Sequence, residues 1–204
     1  MAQALAALGL GLALAGAPGP VQVIIFAETA RGGIARGIRV VLGANLTFAF
    51  LLLALALGVS LASPSGIVLR LLKVVGGAFL LWIAWDGFRN AAPATEAIDQ
   101  PSRSLPPTVR GILAVIFNPG GWIFLATVAS SLLSTSVHNG GRPLALLTAA
   151  LLVCGIGAGD VAVGVLAGLG IRWLDDRTTL WIRGGLNLIL VVLALWLLLT
   201  GMRG

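Results

Sequence analysis

The stretch Val40–Ala62 reads VVLGANLTFAFLLLALALGVSLA and contains no charged residue. An α-helix needs about 20 such residues to cross the hydrocarbon core of a bilayer. Three further long runs without charge lie at residues 1–27, 111–137 and 184–202. The whole chain is 58% hydrophobic and 10% charged, whereas soluble domains carry about 25% charged residues. The sequence therefore predicts an all-α integral membrane protein.

Apolar runs and their polar interruptions predict the number of membrane-spanning helices. Six are expected, near residues 3–30, 37–62, 67–89, 109–133, 143–171 and 179–202. The proline-rich polar stretch 90–108 is typical of an extended linker outside the membrane. We therefore expect a three-helix unit at 1–89, the linker at 90–108 and a second three-helix unit at 109–204.

The two units carry matching motifs in the same order. The third helix ends in WIAWDGFR at 82–89 and the sixth in WLLLTGMR at 196–203, while APGP at 17–20 and NPGG at 118–121 interrupt the first and fourth helices. Aromatic and basic residues are common at membrane interfaces, so the first match alone could arise by chance. Together the matches indicate a duplication. An odd number of helices in each unit then predicts two inverted repeats with broken first and fourth helices.

The distribution of basic residues predicts the orientation in the membrane, because cytoplasmic segments are enriched in Lys and Arg. If both termini lie outside, nine of the thirteen basic residues fall on the cytoplasmic side. These are Arg31, Arg36, Arg39, Arg89, Arg103, Arg110, Arg172, Arg177 and Arg183. The other four are Arg70, Lys73, Arg142 and Arg203. We therefore expect a multi-pass protein of the cytoplasmic membrane with both termini outside and the linker inside.

Several classes of function have no support in the sequence. Cys154 is the single cysteine and His138 the single histidine, so neither a disulfide framework nor a metal site is expected, and no cofactor is predicted. The net charge of +6 is scattered and forms no basic stripe for nucleic acid. Motifs of nucleotide-driven motors and membrane proteases are missing from the sequence, so we do not expect an enzyme.

The two helix interruptions are candidates for the substrate site. Proline and glycine within a membrane helix free backbone groups, which are tolerated only against protein or a water-filled cavity. The half-helices that begin there would point their positive ends at the membrane centre, where they suit a carboxylate. A simple kink is the alternative. The residues concerned are Pro18, Gly19, Pro20, Asn118, Pro119 and Gly120.

Three polar residues near the membrane centre are further candidates. Asp160 lies in the middle of the fifth helix, where an acid is costly unless it faces a partner or water. We expect it to receive a substrate ammonium or a coupling proton or cation. The structural alternative is that it pairs with an arginine or bridges helices through a hydrogen bond. Asn45 occupies a comparable depth in the second helix, and Gln22 lies one turn beyond the first break. Either amide could bind substrate or join helices by hydrogen bonds.

Other residues favour structural roles. Glu28 and Arg31 are predicted to form an ion pair at the inner boundary or a gate contact. Arg70 is expected to reach lipid headgroups, whereas for Lys73 this role and a functional one stay open. The GxxxG patterns at 155–159 and 164–168 predict close helix packing, within one chain or in a homodimer.

The motifs at 17–20 and 118–119, with Gly43-Ala44-Asn45 and the run KVVGGAFLLW at 73–82, resemble those of the lysine and threonine exporter (LysE/RhtB) family. The resemblance covers nearly the whole chain. It implies a six-helix secondary transporter that exports amino acids or related metabolites, driven by an ion gradient or the membrane potential. Three departures from the family pattern are Ala17 for threonine, Gly120 for lysine and Asn45 for an acidic residue.

The expected partners are therefore a small-molecule substrate and the lipid bilayer. Two alternatives stay open at this point. One is a permease for a metal ion or another solute, and the other is a non-transporting membrane scaffold that assists assembly or lipid traffic.

Overall fold

The computed structural model describes residues 2–17, 19–58, 65–89 and 105–203. Pro18, most of the predicted linker and the end of the predicted second span lie outside the described residues. The helices are α1 Ala2–Gly16, α2 Pro20–Gly32, α3 Ile34–Ala56, α4 Gly66–Arg89, α5 Pro107–Ile116, α6 Pro119–Phe124, a π-helical turn Leu125–Ala129, α7 Ser130–Arg172 and α8 Asp176–Arg203. The described part of the chain is all-helical, with no strand.

Several of these helices are long and apolar enough to cross a membrane. Four meet this condition, at Ile34–Ala56, Gly66–Arg89, Pro119–Ile171 and Arg177–Met202. The count rises to five if the bent pair Gln3–Gly16 and Pro20–Gly32 forms one span. Large apolar side chains, such as Phe50 and Leu166, are exposed on the outer surface, as expected where lipid is the solvent. This confirms a multi-pass membrane protein.

The helical stretch Pro119–Ile171 contains 53 residues and would be about 80 Å long if straight. It is not straight, because Gly140 and Gly141 have non-helical backbone angles. The hydroxyl oxygens of Ser136 and Thr148 lie 3.0 Å apart, although twelve residues of straight helix would separate them by about 18 Å. The chain therefore turns back on itself at these glycines. Gly141 has a φ of 67°, which favours glycine over other residues.

The predicted fourth and fifth helices, at 109–133 and 143–171, leave a polar connection between them. That prediction is wrong for most of the stretch, since the helix continues as far as the turn at Gly140. Thr135 and Ser136 donate their hydroxyls to the carbonyls one turn earlier, at 2.9 Å each. Because these side chains bond to their own helix, their polarity does not end it. His138 is exposed, but it lies on the helix rather than in a loop.

Glycines allow two pairs of helices to cross at close range. Gly155 of α7 lies against Gly11 of α1, and Gly159, one turn later, lies against Ala15. These two helices therefore run in the same direction. In the other pair, Gly43 of α3 lies against the backbone of α5 near Gly111. Small residues permit such backbone contact in lipid, as the GxxxG pattern at 155–159 predicts.

Helices α4 and α8 form the third close pair and run in opposite directions. Gly87, near the end of α4, lies against Asn187 in the first half of α8. Gly201, near the end of α8, lies against Lys73 in the first half of α4. The buried core between the helices consists mainly of Ala, Val, Leu and Ile side chains.

Candidate functional site

A cavity of about 520 Å³ lies between the two helix breaks. Its size falls within the range of about 300–1,000 Å³ typical of small-molecule sites. Residues from both halves of the chain line it, and most are apolar or glycine. Its polar side chains are Gln22, Lys73, Asn118 and Asp160.

The first break places the start of α2 against the cavity. Helices α1 and α2 differ in direction by 63°. Gly19 is extended, with φ −156° and ψ 176°, and Pro20 occupies the first helical position, where a missing N–H costs nothing. The carbonyl of Gly19 accepts the N–H of Val23 at 3.1 Å, which begins the ladder of α2. Both Gly19 and Pro20 line the cavity.

The second break is held by two side-chain hydrogen bonds. The carbonyl Oδ1 of Asn118 accepts the N–H of Gly120 at 3.1 Å, so Asn118 caps α6 before Pro119. Trp122 donates its indole N–H to the carbonyl of Ile116 at 2.7 Å. These contacts satisfy backbone groups that the interruption frees. Asn118, Pro119 and Gly120 all line the cavity.

A π-helical turn follows this break at Leu125–Ala129. Such turns insert one extra residue and are frequent at functional sites. The hydroxyl of Ser130 donates to the carbonyl of Leu125 at 2.7 Å and so satisfies an acceptor in the disturbed turn.

Asp160 is the buried acid of the site, with only 1% of its surface exposed. Gln22 donates to one carboxylate oxygen at 3.3 Å and Asn45 donates to the other at 3.4 Å. No cation within the described ranges lies within ion-pair distance of Asp160, so the predicted alternative of an arginine partner finds no contact there. Asn45 also donates to the carbonyl of Val41, and its own Oδ1 is buried without a hydrogen-bond partner.

All of the predicted site residues that the structure describes line the cavity except Asn45. Gly19, Pro20, Gln22, Asn118, Pro119, Gly120 and Asp160 line it. Asn45 does not line it and contacts the site through Asp160. Pro18 lies outside the described residues. The structure thus brings side chains from three predicted spans to one place.

Two basic residues of α4 have different surroundings. Arg70 donates to the carbonyls of Gly201 and Met202 at 2.8 and 3.0 Å, so it binds the carboxyl end of α8 rather than extending freely to headgroups. Lys73 is half-buried and lines the cavity.

A cluster of five charged residues lies away from the cavity, and we call it the ionic cluster. Its members are Glu28, Arg31, Arg36, Asp86 and Arg110. Arg110 binds Glu28 at 2.8 Å and also binds Asp86, and both Arg110 and Glu28 are fully buried. Arg31 binds the same two carboxylates at 3.0 and 3.1 Å, and Arg36 also binds Glu28.

The ionic cluster joins helices α2, α3, α4 and α5. Arg110 also donates to the carbonyl of Leu105 at 3.0 Å, and its guanidinium lies 5.5 Å from the ring centre of Trp82. The sequence predicted the pair of Glu28 and Arg31 but missed Asp86 and Arg110. Asp86 lies within a candidate membrane-spanning helix. An acid in such a helix is costly unless it has a partner or faces water, so the argument that singled out Asp160 applies to Asp86 as well.

The cavity and the ionic cluster occupy opposite ends of the same helices. Helix α2 lines the cavity at Pro20 and reaches the cluster at Glu28, about 12 Å further along. Helix α4 lines the cavity at Lys73 and reaches the cluster at Asp86, about 20 Å further along. The cluster therefore joins these helices at the end remote from Lys73.

Comparison with known proteins identifies the family. The chain is 30% identical over 119 residues to an uncharacterized membrane protein, YahN, of Escherichia coli (strain K12). The aligned region covers 56% of this chain and 52% of that protein. It is 35% identical over 85 residues to a cysteine/O-acetylserine efflux protein of Salmonella choleraesuis (strain SC-B67), covering 41% of this chain and 44% of the relative. A protein of the same name from Salmonella typhimurium matches equally.

The chain spans about half the length of these curated relatives. No solved structure matches it. The sequence model of the LysE type translocators, in contrast, matches residues 12–201. Because that match covers most of the chain and agrees with the resemblance in its motifs, this protein belongs to the LysE type translocator family, whose members are transporters rather than enzymes.

Proposed function

We propose that this protein is a secondary transporter that exports amino acids or related small metabolites across the cytoplasmic membrane by alternating access. The cavity is the observation that carries the proposal, since both helix breaks and the buried acid Asp160 face it. Irregular backbone at membrane depth is tolerated where it lines such a space. The relatives named as cysteine/O-acetylserine efflux proteins support an amino-acid cargo.

We propose six spans arranged as two inverted repeats. The bent pair α1 and α2 forms the first span, and the reversal at Gly140 and Gly141 divides α7 between the fourth and fifth. The close helix contacts support the repeat, because they recur between equivalent spans. Helix α1 of the first span crosses α7 in the fifth, and α5 of the fourth span crosses α3 in the second. Helix α4 of the third span crosses α8, which is the sixth. In the last pair, Gly87 contacts Asn187 and Gly201 contacts Lys73, and the offset from Gly87 to Gly201 equals the offset from Lys73 to Asn187.

The directions of the helices support the inversion. Helix α2 runs from the cavity at Pro20 to the ionic cluster at Glu28. Helix α5 begins near the cluster at Arg110, and the chain reaches the cavity at Asn118. The first span, which contains α2, and the fourth span, which contains α5, thus cross this region in opposite directions, as inverted repeats require.

The ionic cluster acts as the closed inner gate in this proposal. Its charges join four helices at the cytoplasmic end if both termini lie outside, and the cavity then faces the outer side near Lys73. Inward opening would separate these ion pairs, and water entering the gap would solvate the freed charges. The substrate carboxylate binds near the helix breaks, and Asp160 takes the ammonium or a coupling proton.

The energetics allow export without ATP. Moving one charge through 100 mV supplies about 2.3 kcal/mol, and each tenfold gradient costs about 1.4 kcal/mol. A single coupled charge would thus sustain a roughly fortyfold gradient.

The decisive experiment is efflux of preloaded radiolabelled amino acids from proteoliposomes that contain the full chain. A pH gradient and a membrane potential are imposed separately, and Asp160→Asn is compared with the unmodified protein. We expect gradient-dependent efflux, reduced at least tenfold in the variant, because the buried acid is the proposed coupling and ammonium site. Cys154→Ser, at an exposed position of the same helix, serves as the matched control and should export normally.

The alternatives give different results. A metal permease would show no amino-acid flux, and the described residues contain no group of three or more His, Cys, Asp or Glu able to hold a metal ion. A scaffold would show no flux of any tested solute. Export of amino acids that is unchanged in Asp160→Asn would retain the transporter and reject the role of this acid.

A further inference from the structure

Lys73 and Asp160 are the two charged residues among the described residues that line the cavity. We propose that they form the two poles of a binding site for a zwitterionic amino acid with an uncharged side chain. Lys73, which lines the same cavity as the two helix breaks, receives the substrate carboxylate, and Asp160 receives its ammonium group. This inference rests on the proposed export function and names the class of substrate.

Lys73 has free capacity to bind an anion. Within the described part of the chain it makes no hydrogen bond or ion pair, whereas Arg70 and the arginines of the ionic cluster are engaged. Arg70, one turn earlier on α4, is held by two backbone carbonyls of α8. Arg31 and Arg110 are held by carboxylates in the ionic cluster. The ammonium of Lys73 is a compact donor of three hydrogen bonds on a flexible stem, which allows it to follow a moving substrate.

Asp160 has free capacity to bind a cation. An ionised carboxylate offers about four acceptor positions, and among the described residues only the amides of Gln22 and Asn45 donate to it, at 3.3 and 3.4 Å. Both donors are neutral, so they orient the carboxylate without cancelling its charge. A substrate ammonium would supply the missing positive charge and additional donors. The two amides would then keep the carboxylate in place between transport cycles.

The remaining lining determines what side chain the substrate carries. Lys73 and Asp160 have opposite charges, so the described lining has no net charge and matches a zwitterion. Apart from the amides of Gln22 and Asn118, the other lining side chains are apolar, such as Phe48, Ile156 and Trp196. Asp160 is the one carboxylate of the described lining, so a cationic side chain would find no second carboxylate to pair with. Burying an unpaired charge costs several kcal/mol. Lysine and arginine should therefore be poor substrates.

The test measures binding to the purified full chain in detergent with probes that lack one pole. L-cysteine is compared with cysteamine, which lacks the carboxylate, and with 3-mercaptopropionate, which lacks the amine. L-leucine, isoamylamine and 4-methylpentanoate form a second series with a larger side chain. Dissociation constants are measured for the unmodified protein and for Lys73→Met, Lys73→Arg and Asp160→Asn.

We expect Lys73→Met to weaken amino-acid binding by about tenfold or more, the usual effect of losing a hydrogen bond to a charged group. The same variant should leave binding of the amine probe unchanged, because that probe has no carboxylate to lose. Lys73→Arg should restore most of the affinity. Asp160→Asn should show the reverse pattern, with the carboxylate probe unaffected. Arg70→Met is the matched control, since it removes a cation from the same end of α4 outside the cavity lining.

Three results would overturn the inference. One is an equal loss of amine and amino-acid binding in Lys73→Met, which would mark Lys73 as structural. Another is tighter binding of L-lysine than of L-cysteine and L-leucine. The third is the failure of the unmodified chain to bind either series. Export of amino acids in proteoliposomes together with any of these results would reject the two-pole site and leave the export function intact.

Discussion

Arg110 illustrates how a buried charge is tolerated in this protein. Its guanidinium is fully buried and donates to Glu28, Asp86 and the carbonyl of Leu105, while its face lies over Trp82. The planar group can bind several acceptors at once, as an ammonium cannot. Desolvation opposes such burial, so the interaction stabilises the closed cluster only while its partners remain in place.

Replacing Arg110 by alanine should lower the free energy of unfolding by about 3–5 kcal/mol, because it removes the fully buried guanidinium that binds buried Glu28 at 2.8 Å. Denaturation of the full chain in mixed detergent micelles measures this change. Arg39→Ala is the control, since Arg39 is exposed and should contribute within about 0.5 kcal/mol. Equal effects of the two substitutions would reject a stabilising cluster.

Helix crossings in this protein depend on glycine because helices in lipid associate through packing rather than through the hydrophobic effect. At Gly11 an added Cβ would meet the backbone of Leu152 and Ile156 in α7. The clash is with backbone, so a rotamer change cannot relieve it. Gly43 and Gly111 face backbone in the same way at the crossing of α3 and α5.

Gly11→Ala should therefore destabilise the protein by about 1–3 kcal/mol through overpacking. Gly9→Ala is the matched control on the same helix, because nothing lies within 4 Å of its added Cβ. That substitution should be neutral or stabilising by up to about 1 kcal/mol, since alanine is the better helix former. Thermal unfolding of both variants in the same detergent compares them, and a harmless Gly11→Ala would contradict close packing of α1 on α7.

The complete arrangement places a cavity at one end of the helices and an ionic cluster at the other. Alternating access requires the two ends to open in turn. The proposed orientation makes the cluster cytoplasmic, and the distribution of basic residues is its support. Labelling of introduced cysteines can test this orientation directly.

His138→Cys and Arg177→Cys are placed separately in a Cys154→Ala background. Both residues are exposed, one near the reversal at Gly140 and the other at the start of α8. With both termini outside, a membrane-impermeant maleimide should label the first in intact spheroplasts and the second only after permeabilisation. The opposite pattern would invert the topology and place the ionic cluster on the outer side.

Much of the architecture follows from local sequence properties. Charge-free apolar runs require lipid, and Pro20 and Pro119 must interrupt or begin helices because proline lacks a backbone donor. The predicted breaks therefore agree with the starts of α2 and α6. The predicted end of the fourth helix near residue 133 was wrong, because the Ser and Thr side chains before His138 bond within their own helix. A pair of glycines, Gly140 and Gly141, makes the turn instead.

Sequence alone thus determined that this chain lies in a membrane, where its helices break and that Asp160 is an unusual buried acid, because each depends on composition or on the chemistry of one residue. Only the tertiary structure decided which charges meet. Glu28, Asp86 and Arg110 come from three separate helices, and Gln22, Asn45 and Asp160 from three predicted spans. The pairing of charges and amides so distant along the chain is set by how the helices pack, and no local spacing encodes it.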